Sequence, residues 1–246
     1  LYRRRQRQMC IRDRYKGISN KNSTMSLPVP MLNIMNGGCH ANNNVDIQEF
    51  MIIPSNKFNF KDGLMKSVEV YTNLKSLLKE KGLSVSVGDE GGFAPNLKTS
   101  EEVLDLIILS IERAGLIYLD DMSIALDCAA SELFSEDSYK LTGENKKFSS
   151  DEMVFYMQAL VDKYEIKSVE DPFDEKDWDA WKTFTKNNND LQIVGDDIFV
   201  TQEKILRKGI DSKVANSILV KLNQVGTLSE TMQAISLAKN SGYKTI

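Results

Sequence analysis

From about Leu27 onward, short apolar runs alternate with longer stretches in which apolar residues recur every three or four positions. The short runs predict strands and the longer stretches predict helices. Thr99 and Glu102, Ser149 and Glu152, and Thr227 and Glu230 each have the spacing of a capping box ahead of such a stretch, marking three helix starts. After the first, Val103, Leu104, Ile107, Ile108 and Ile111 form a stripe along one helical face. An earlier helix is predicted over about Asp62 to Lys81, with Met65, Val68, Leu74 and Leu78 as its apolar face and Gly82 as its stop. Between the helices lie SVSVGDE, SIALDCA, IKSVEDP, QIVGDDIFV and SILVKLNQ, each apolar and rich in β-branched residues. Runs of that kind suit parallel strands covered by helices. The alternation predicts βαβ units, and no G-x-G-x-x-G opens a helix, so a dinucleotide-binding Rossmann domain has little support. The expected fold class is α/β, a partial TIM-like (β/α) barrel.

Most of these runs end on a charge: Asp89-Glu90, Asp127, Glu170-Asp171, Asp196-Asp197 and Lys221. In a parallel barrel, the C-terminal strand ends build the active site. The steps from Glu170 to Asp196 and from Asp196 to Lys221 each match one strand-helix unit, which makes these groups neighbours around the rim. Strand alternation agrees. With Asp127 inward, Ala125 is inward too, and Ile124 and Leu126 face the helices. Glu170 pairs in the same way with Ser168, and Lys221 with Leu219, leaving Val169, Ile218 and Val220 on the helix side. Carboxylates converging on one rim repel one another unless something positive joins them. Three carboxylates with water and substrate oxygens suit octahedral Mg²⁺. The competing reading is that strand-end acids are solvated or cap the next helix; the combination with Lys221 favours a site.

Composition narrows the chemistry further. The 246 residues carry a formal charge of −4, which gives no general electrostatic reason to bind nucleic acid or an anionic membrane. Cys10, Cys39 and Cys128 are odd in number and widely spaced, as in a reduced cytosolic chain rather than a disulfide framework. His40 is the single histidine, so HExxH zinc chemistry is excluded and any metal is held mainly by oxygen. No apolar run is long enough to span a membrane. Residues 1–14, LYRRRQRQMCIRDR, are strongly basic and lack apolar periodicity. A disordered basic arm and a targeting segment are two readings, but the run resembles a translated sequencing adapter and is set apart from the fold as non-native. The barrel domain is expected over 15–246.

Six segments carry a resemblance: LPVPMLNIMNGGCHANNNVDIQEFMIIP, VGDEGGFAPNL, ALDCAASE, SVEDPFDEKDWDAW, IVGDDIFVT and ILVKLNQVGTLSET. In order and separation they resemble the enolase family, its bacterial members most of all. As is general for that superfamily, the resemblance implies Mg²⁺ and a lysine or histidine base. It implies Asp127, Glu170 and Asp196 as Mg²⁺ ligands, and Lys221 as the base that removes the C2 proton of 2-phosphoglycerate. Glu90, in GDEGG, is implied as the acid that helps the C3 hydroxyl leave as water. Gln48 and Glu49, in QEF, and His40, in the GGCHA loop, are implied to lie against the substrate together with Lys221. The implied product is phosphoenolpyruvate, in glycolysis and gluconeogenesis. The implied setting is a cytoplasmic homodimer or higher oligomer, with an additional pool at the cell surface or secreted.

Blander readings stand beside these. His40 on a glycine-rich loop is also an ordinary hydrogen-bonding residue, Gly37-Gly38 and Gly91-Gly92 are also plain turns, Trp178 and Trp181 pack a helix, and Cys128 fills space. The family pattern includes an N-terminal α+β domain, a His-Arg-Ser phosphate grip and a later lysine. None of these is found here, so the expectation is a barrel with an open edge and little activity by itself. Two other functions are weighed: a different enolase-superfamily lyase acting on a carboxylate without phosphate, and a non-catalytic surface-binding role.

Overall fold

The computed structural model describes residues 27–246, so the basic stretch 1–14, Cys10 and the first part of the expected domain lie outside the described residues. A seven-stranded sheet forms the centre, in the order β1 (Leu32–Asn36), β2 (Glu49–Pro54), β3 (Met122–Asp127), β7 (Ser168–Glu170), β8 (Gln192–Gly195), β9 (Ser217–Ile218) and β10 (Lys244–Thr245). From β3 to β10 every neighbouring pair is parallel. The helices α3 (Ser150–Tyr164), α4 (Trp178–Asn187), α5 (Glu203–Ser212), the short α6 (Leu222–Val225) and α7 (Leu228–Asn240) lie along this half.

The opening half departs from a uniform βα repeat. β1 and β2 pair antiparallel, and β2 pairs antiparallel with β3. The reason is topological. Two helices, α1 (Phe60–Glu80) and α2 (Ser100–Arg113), pack on each other between β2 and β3. Each helix reverses the chain, so two in succession return the next strand in the opposite sense. The run SVSVGDE, expected as a strand between those helices, joins no ladder and makes one isolated bridge, Val87 to Phe93. Val87 is exposed, so its alternation reflects an extended surface segment.

α1 also presents a different face from the expected one. Met65 and Val68 are exposed, and the buried line runs through Gly63, Ser67, Val70, Leu74, Leu77 and Leu78. Gly63 packs against the Pro54 ring, where an added Cβ would crowd, and the Ser67 hydroxyl donates back to the Gly63 carbonyl at 2.9 Å. Small residues open the contact face, and they carry no hydrophobic signal. In α2 the expected stripe is buried apart from Ile108, which is half-buried.

The three capping sites differ in detail. Ser149 and Glu152 form a full capping box at α3. Thr99 accepts from the Glu102 amide at 3.1 Å, while the Glu102 carboxylate turns to the Lys98 amide at 2.8 Å. Thr227 accepts from the Glu230 amide at 3.3 Å. A second, three-stranded sheet outside the expected elements, β4 (Phe134–Ser135), β5 (Ser138–Leu141) and β6 (Lys146–Phe148), is inserted between β3 and α3.

The core lies between sheet and helices. Ile124, Leu126, Val169, Ile193 and Ile218 meet Leu74, Ile107, Met157, Phe184 and Leu206, all essentially inaccessible. Trp181 is fully buried edge-on to Phe173, and its indole N–H donates to the Asp174 carbonyl at 3.1 Å. Trp181→Ala is expected to cost about 3–5 kcal/mol; urea unfolding of the variant checks it. Among the described residues, no helix is long and apolar enough to cross a membrane.

Candidate active site

Strand register sets the site. Glu49 on β2 stands opposite Asp127 on β3, and Asp127 opposite Glu170 on β7. Asp196 follows the last residue of β8 and Lys221 lies just past β9, where the chain turns into α6. A cavity of about 460 Å³ opens at these strand ends. Its walls include His40, Gln48, Glu49, Glu90, Asp127, Glu170, Asp196 and Lys221, so the eight residues that the family resemblance implied for the site reach one space, while Asp89 does not line it. Ile124, Leu126 and Val169 are buried on the helix side, the orientation that alternation requires.

The carboxylates are held to different degrees. Asp127 accepts from the Ala129 amide at 3.0 Å and from Gln48 Nε2 at 2.8 Å. Asp196 meets Lys221 Nζ on one oxygen and Gln224 Nε2, at 2.6 Å, on the other. Glu170 is buried, and among the described residues no hydrogen-bond donor supports its carboxylate. A buried carboxylate without a donor is costly as an anion. Accordingly Glu170 is pushed up to about 10, by burial first and then by the charges of Asp127, Asp171, Asp196 and Glu49. Glu49 is pushed up to about 9 by burial, a carboxyl–carboxyl hydrogen bond to Glu90 and the charge of Asp127. Burial raises Asp127 to about 6 against its two donors.

Lys221 moves opposite to what a neutral base requires. Burial pulls its pKa down, but contact with Asp196 and the charges of Asp196, Glu170 and Asp127 outweigh burial and raise it. With the carboxylates uncompensated, Lys221 is the cation of the site. The Glu90 side chain is about a third exposed rather than sequestered. Its carboxylate stands 3.5 Å from both Asn33 and Asn36 Nδ2, and 3.4 Å from His40 Nδ1. That His40 nitrogen has no hydrogen-bond partner unless it carries a proton toward Glu90.

Asp171 and Glu132 are among the site residues that carried no role in the sequence. Asp171, φ +40°, accepts the Asp196 amide at 3.0 Å and the Asp197 amide at 2.7 Å, one on each carboxylate oxygen. Carboxylate oxygens of Asp171, Asp196 and Asp197 lie within 4.8 Å of one another, a spacing that could hold a cation. What its contacts show for Asp171 is a bracket: both oxygens accept backbone amides of the segment that presents Asp196, which fixes that backbone. The adjacent acids at each strand end hinted at such a bracket. Glu132 lines the cavity and accepts from the Cys39 thiol at 3.3 Å; it follows Asp127 in the ALDCAASE segment, with no pattern to distinguish it.

The donor set fits a hard divalent cation. Asp127, Glu170 and Asp196 supply oxygen ligands, and the unsupported Glu170 is the group that most needs a positive partner. The metal-free chain should therefore respond to pH. Each raised carboxyl binds its proton more tightly folded than unfolded, so its stabilising contribution is complete below the ordinary carboxylate pKa of about 4. That contribution is lost as pH rises through about 6 for Asp127, 9 for Glu49 and 10 for Glu170. Urea midpoints of the metal-free chain are expected to fall between about pH 5 and pH 9, and saturating Mg²⁺ to flatten that fall. A flat metal-free profile would contradict the buried-carboxylate account.

Comparison with known proteins agrees with this geometry. The family model described as enolase, C-terminal TIM barrel domain, matches residues 24–246. Enolases from Legionella pneumophila strains Corby, Paris and Philadelphia 1 are each 52% identical over 228 residues. That alignment covers 92% of this chain and 54% of each relative, so the chain spans about half the length of these curated relatives. The open sheet with acids at its strand ends is thus a partial TIM barrel, and the chain belongs to the enolase family through that family's C-terminal barrel domain.

Proposed function

We propose that this barrel carries the proton-transfer and metal-holding half of an enolase site, interconverting 2-phosphoglycerate and phosphoenolpyruvate within a full-length protein. The observation that carries the reading is the convergence of Asp127, Glu170 and Asp196 on adjacent strand ends with Lys221 on the next. Those three carboxylates would hold Mg²⁺. The bound cation supplies charge stabilisation for a substrate carboxylate that gains negative charge as its α-proton leaves.

The chain's own groups supply the rest. Lys221 Nζ stands at the cavity wall, where it would take the C2 proton. To do so it must be neutral, and the raised pKa falls once the charges of Asp196, Glu170 and Asp127 are compensated. Glu90 would give a proton to the departing C3 hydroxyl, and the carboxyl–carboxyl contact with Glu49 keeps a proton beside it. His40 and Gln48 line the same wall and would orient the substrate. The setting proposed with this reaction, by family resemblance, is a cytoplasmic homo-oligomer in glycolysis.

The test is turnover of 2-phosphoglycerate, followed by the ultraviolet absorbance of the enol product. It uses Mg²⁺ and a protein carrying this barrel within the full length of its relatives. Product formation supports the reading. Absence of turnover, with activity on a carboxylate lacking phosphate, would instead favour another lyase of the superfamily.

A further inference from the structure

The loop 37–48 between β1 and β2 carries both His40 and Gln48, and its position decides where those side chains reach. Asp46 is its only carboxylate, is 6% exposed and does not line the acid cavity. It crosses instead to the turn between β5 and β6. One oxygen accepts the Gly143 amide at 2.9 Å and the Thr142 hydroxyl at 3.5 Å; the other accepts the Glu144 amide at 3.0 Å. The two segments touch so closely that a Cβ on Gly143 would collide with the Asn44 carbonyl.

The turn is anchored on its far side. The Glu144 carboxylate accepts from the Ser100 amide at 2.7 Å, the Ser100 hydroxyl at 2.8 Å and the Tyr156 hydroxyl at 3.0 Å. Those bonds tie it to the start of α2 and to the middle of α3. Two residues along from Asp46, Gln48 Nε2 is the side-chain donor to Asp127. A path of hydrogen bonds and short stretches of chain therefore runs from the two helices to Asp46 and, two residues further along the backbone, through Gln48 to a carboxylate of the acid site.

We propose that Asp46 is a positioning residue: its carboxylate latches the 37–48 loop to the 142–144 turn and thereby sets Gln48 against Asp127. The metal-binding consequence rests on the reading of Asp127, Glu170 and Asp196 as the cation-holding set; the latch does not. Charge-assisted bonds from a buried carboxylate to backbone amides are among the stronger local restraints, and an amide in its place can accept on one atom only.

The experiment compares the parent chain with Asp46→Asn, Gln48→Ala and the double variant, by amide hydrogen exchange and by Mn²⁺ titration read as the free-ion paramagnetic resonance signal. In Asp46→Asn, exchange at 37–48 and 142–144 should rise at least about tenfold while β7 and β8 keep parental protection. Its Mn²⁺ affinity should fall several-fold, and the double variant should bind Mn²⁺ about as Gln48→Ala does, because both act through one contact. Gln48→Ala should leave exchange at 142–144 unchanged.

Unchanged exchange in the loop and turn overturns the latch. So does a uniform rise that includes β7 and β8, which would mark a merely global loss of stability. Multiplying losses of Mn²⁺ affinity overturn the route through Gln48. A parent chain that binds no Mn²⁺ removes the metal reading instead, and the exchange results then decide the latch alone.

Discussion

Lys221→Ala in the full-length protein is expected to stop exchange of the C2 proton of 2-phosphoglycerate with deuterated water, a loss of at least about 10²–10⁴-fold. Among the described residues, Lys221 is the one lysine that lines the cavity. Metal binding should survive, because Lys221 competes with the cation for Asp196: its Nζ occupies one oxygen of that carboxylate. Removing the amine frees Asp196, and Mn²⁺ affinity should hold or rise while exchange disappears. That opposite movement separates loss of a base from general collapse of the site. Nuclear magnetic resonance of the substrate reads the exchange, and exchange continuing at the parental rate would refute Lys221 as the base.

The chemistry was more legible in the sequence than the geometry that tunes it. Asp127, Glu170, Asp196 and Lys221 could be placed together because parallel strands put their C-terminal ends on one rim and period-2 alternation says which side chains face inward. The reading failed where direction depends on counting elements. SVSVGDE has a strand-like composition, and treating it as a strand hid the helix pair that makes β2 run against β3. Gly63 and Ser67 mark the packed face of α1, yet a hydrophobicity pattern gives them no weight.

Long-range hydrogen bonds were beyond reach for a similar reason. Asp171 looked like a second strand-end acid, and only its contacts with the Asp196 and Asp197 amides show it as a bracket. Asp46 lies inside a family-like segment but had no role attached to it, because its partners lie almost a hundred residues along the chain. The direction of the Lys221 shift was likewise unreadable: it depends on Asp196 lying in contact, a balance of burial against charge that sequence does not state.

Glu170→Gln is expected to move two properties in opposite directions. Without metal, the variant should be more stable than the parent near neutral pH, because it replaces a buried carboxyl, raised to about 10 and lacking a donor, with a neutral amide. With metal, it should lose one of three anionic ligands, lowering affinity by more than about a hundredfold. A merely structural carboxylate would not behave this way, since its removal would not make the fold respond to Mg²⁺ differently.

Thermal unfolding of this chain and its Glu170→Gln variant, each with and without Mg²⁺, therefore tests the central claim most directly. The parent Tm should rise with Mg²⁺, by an amount corresponding to about 2.7 kcal/mol at a hundredfold excess over Kd. The variant should start from a higher Tm and show almost no response to the ion. Equal Mg²⁺ shifts in the two proteins, or a lower metal-free Tm in the variant, would contradict the assignment of Asp127, Glu170 and Asp196 as the cation-holding set.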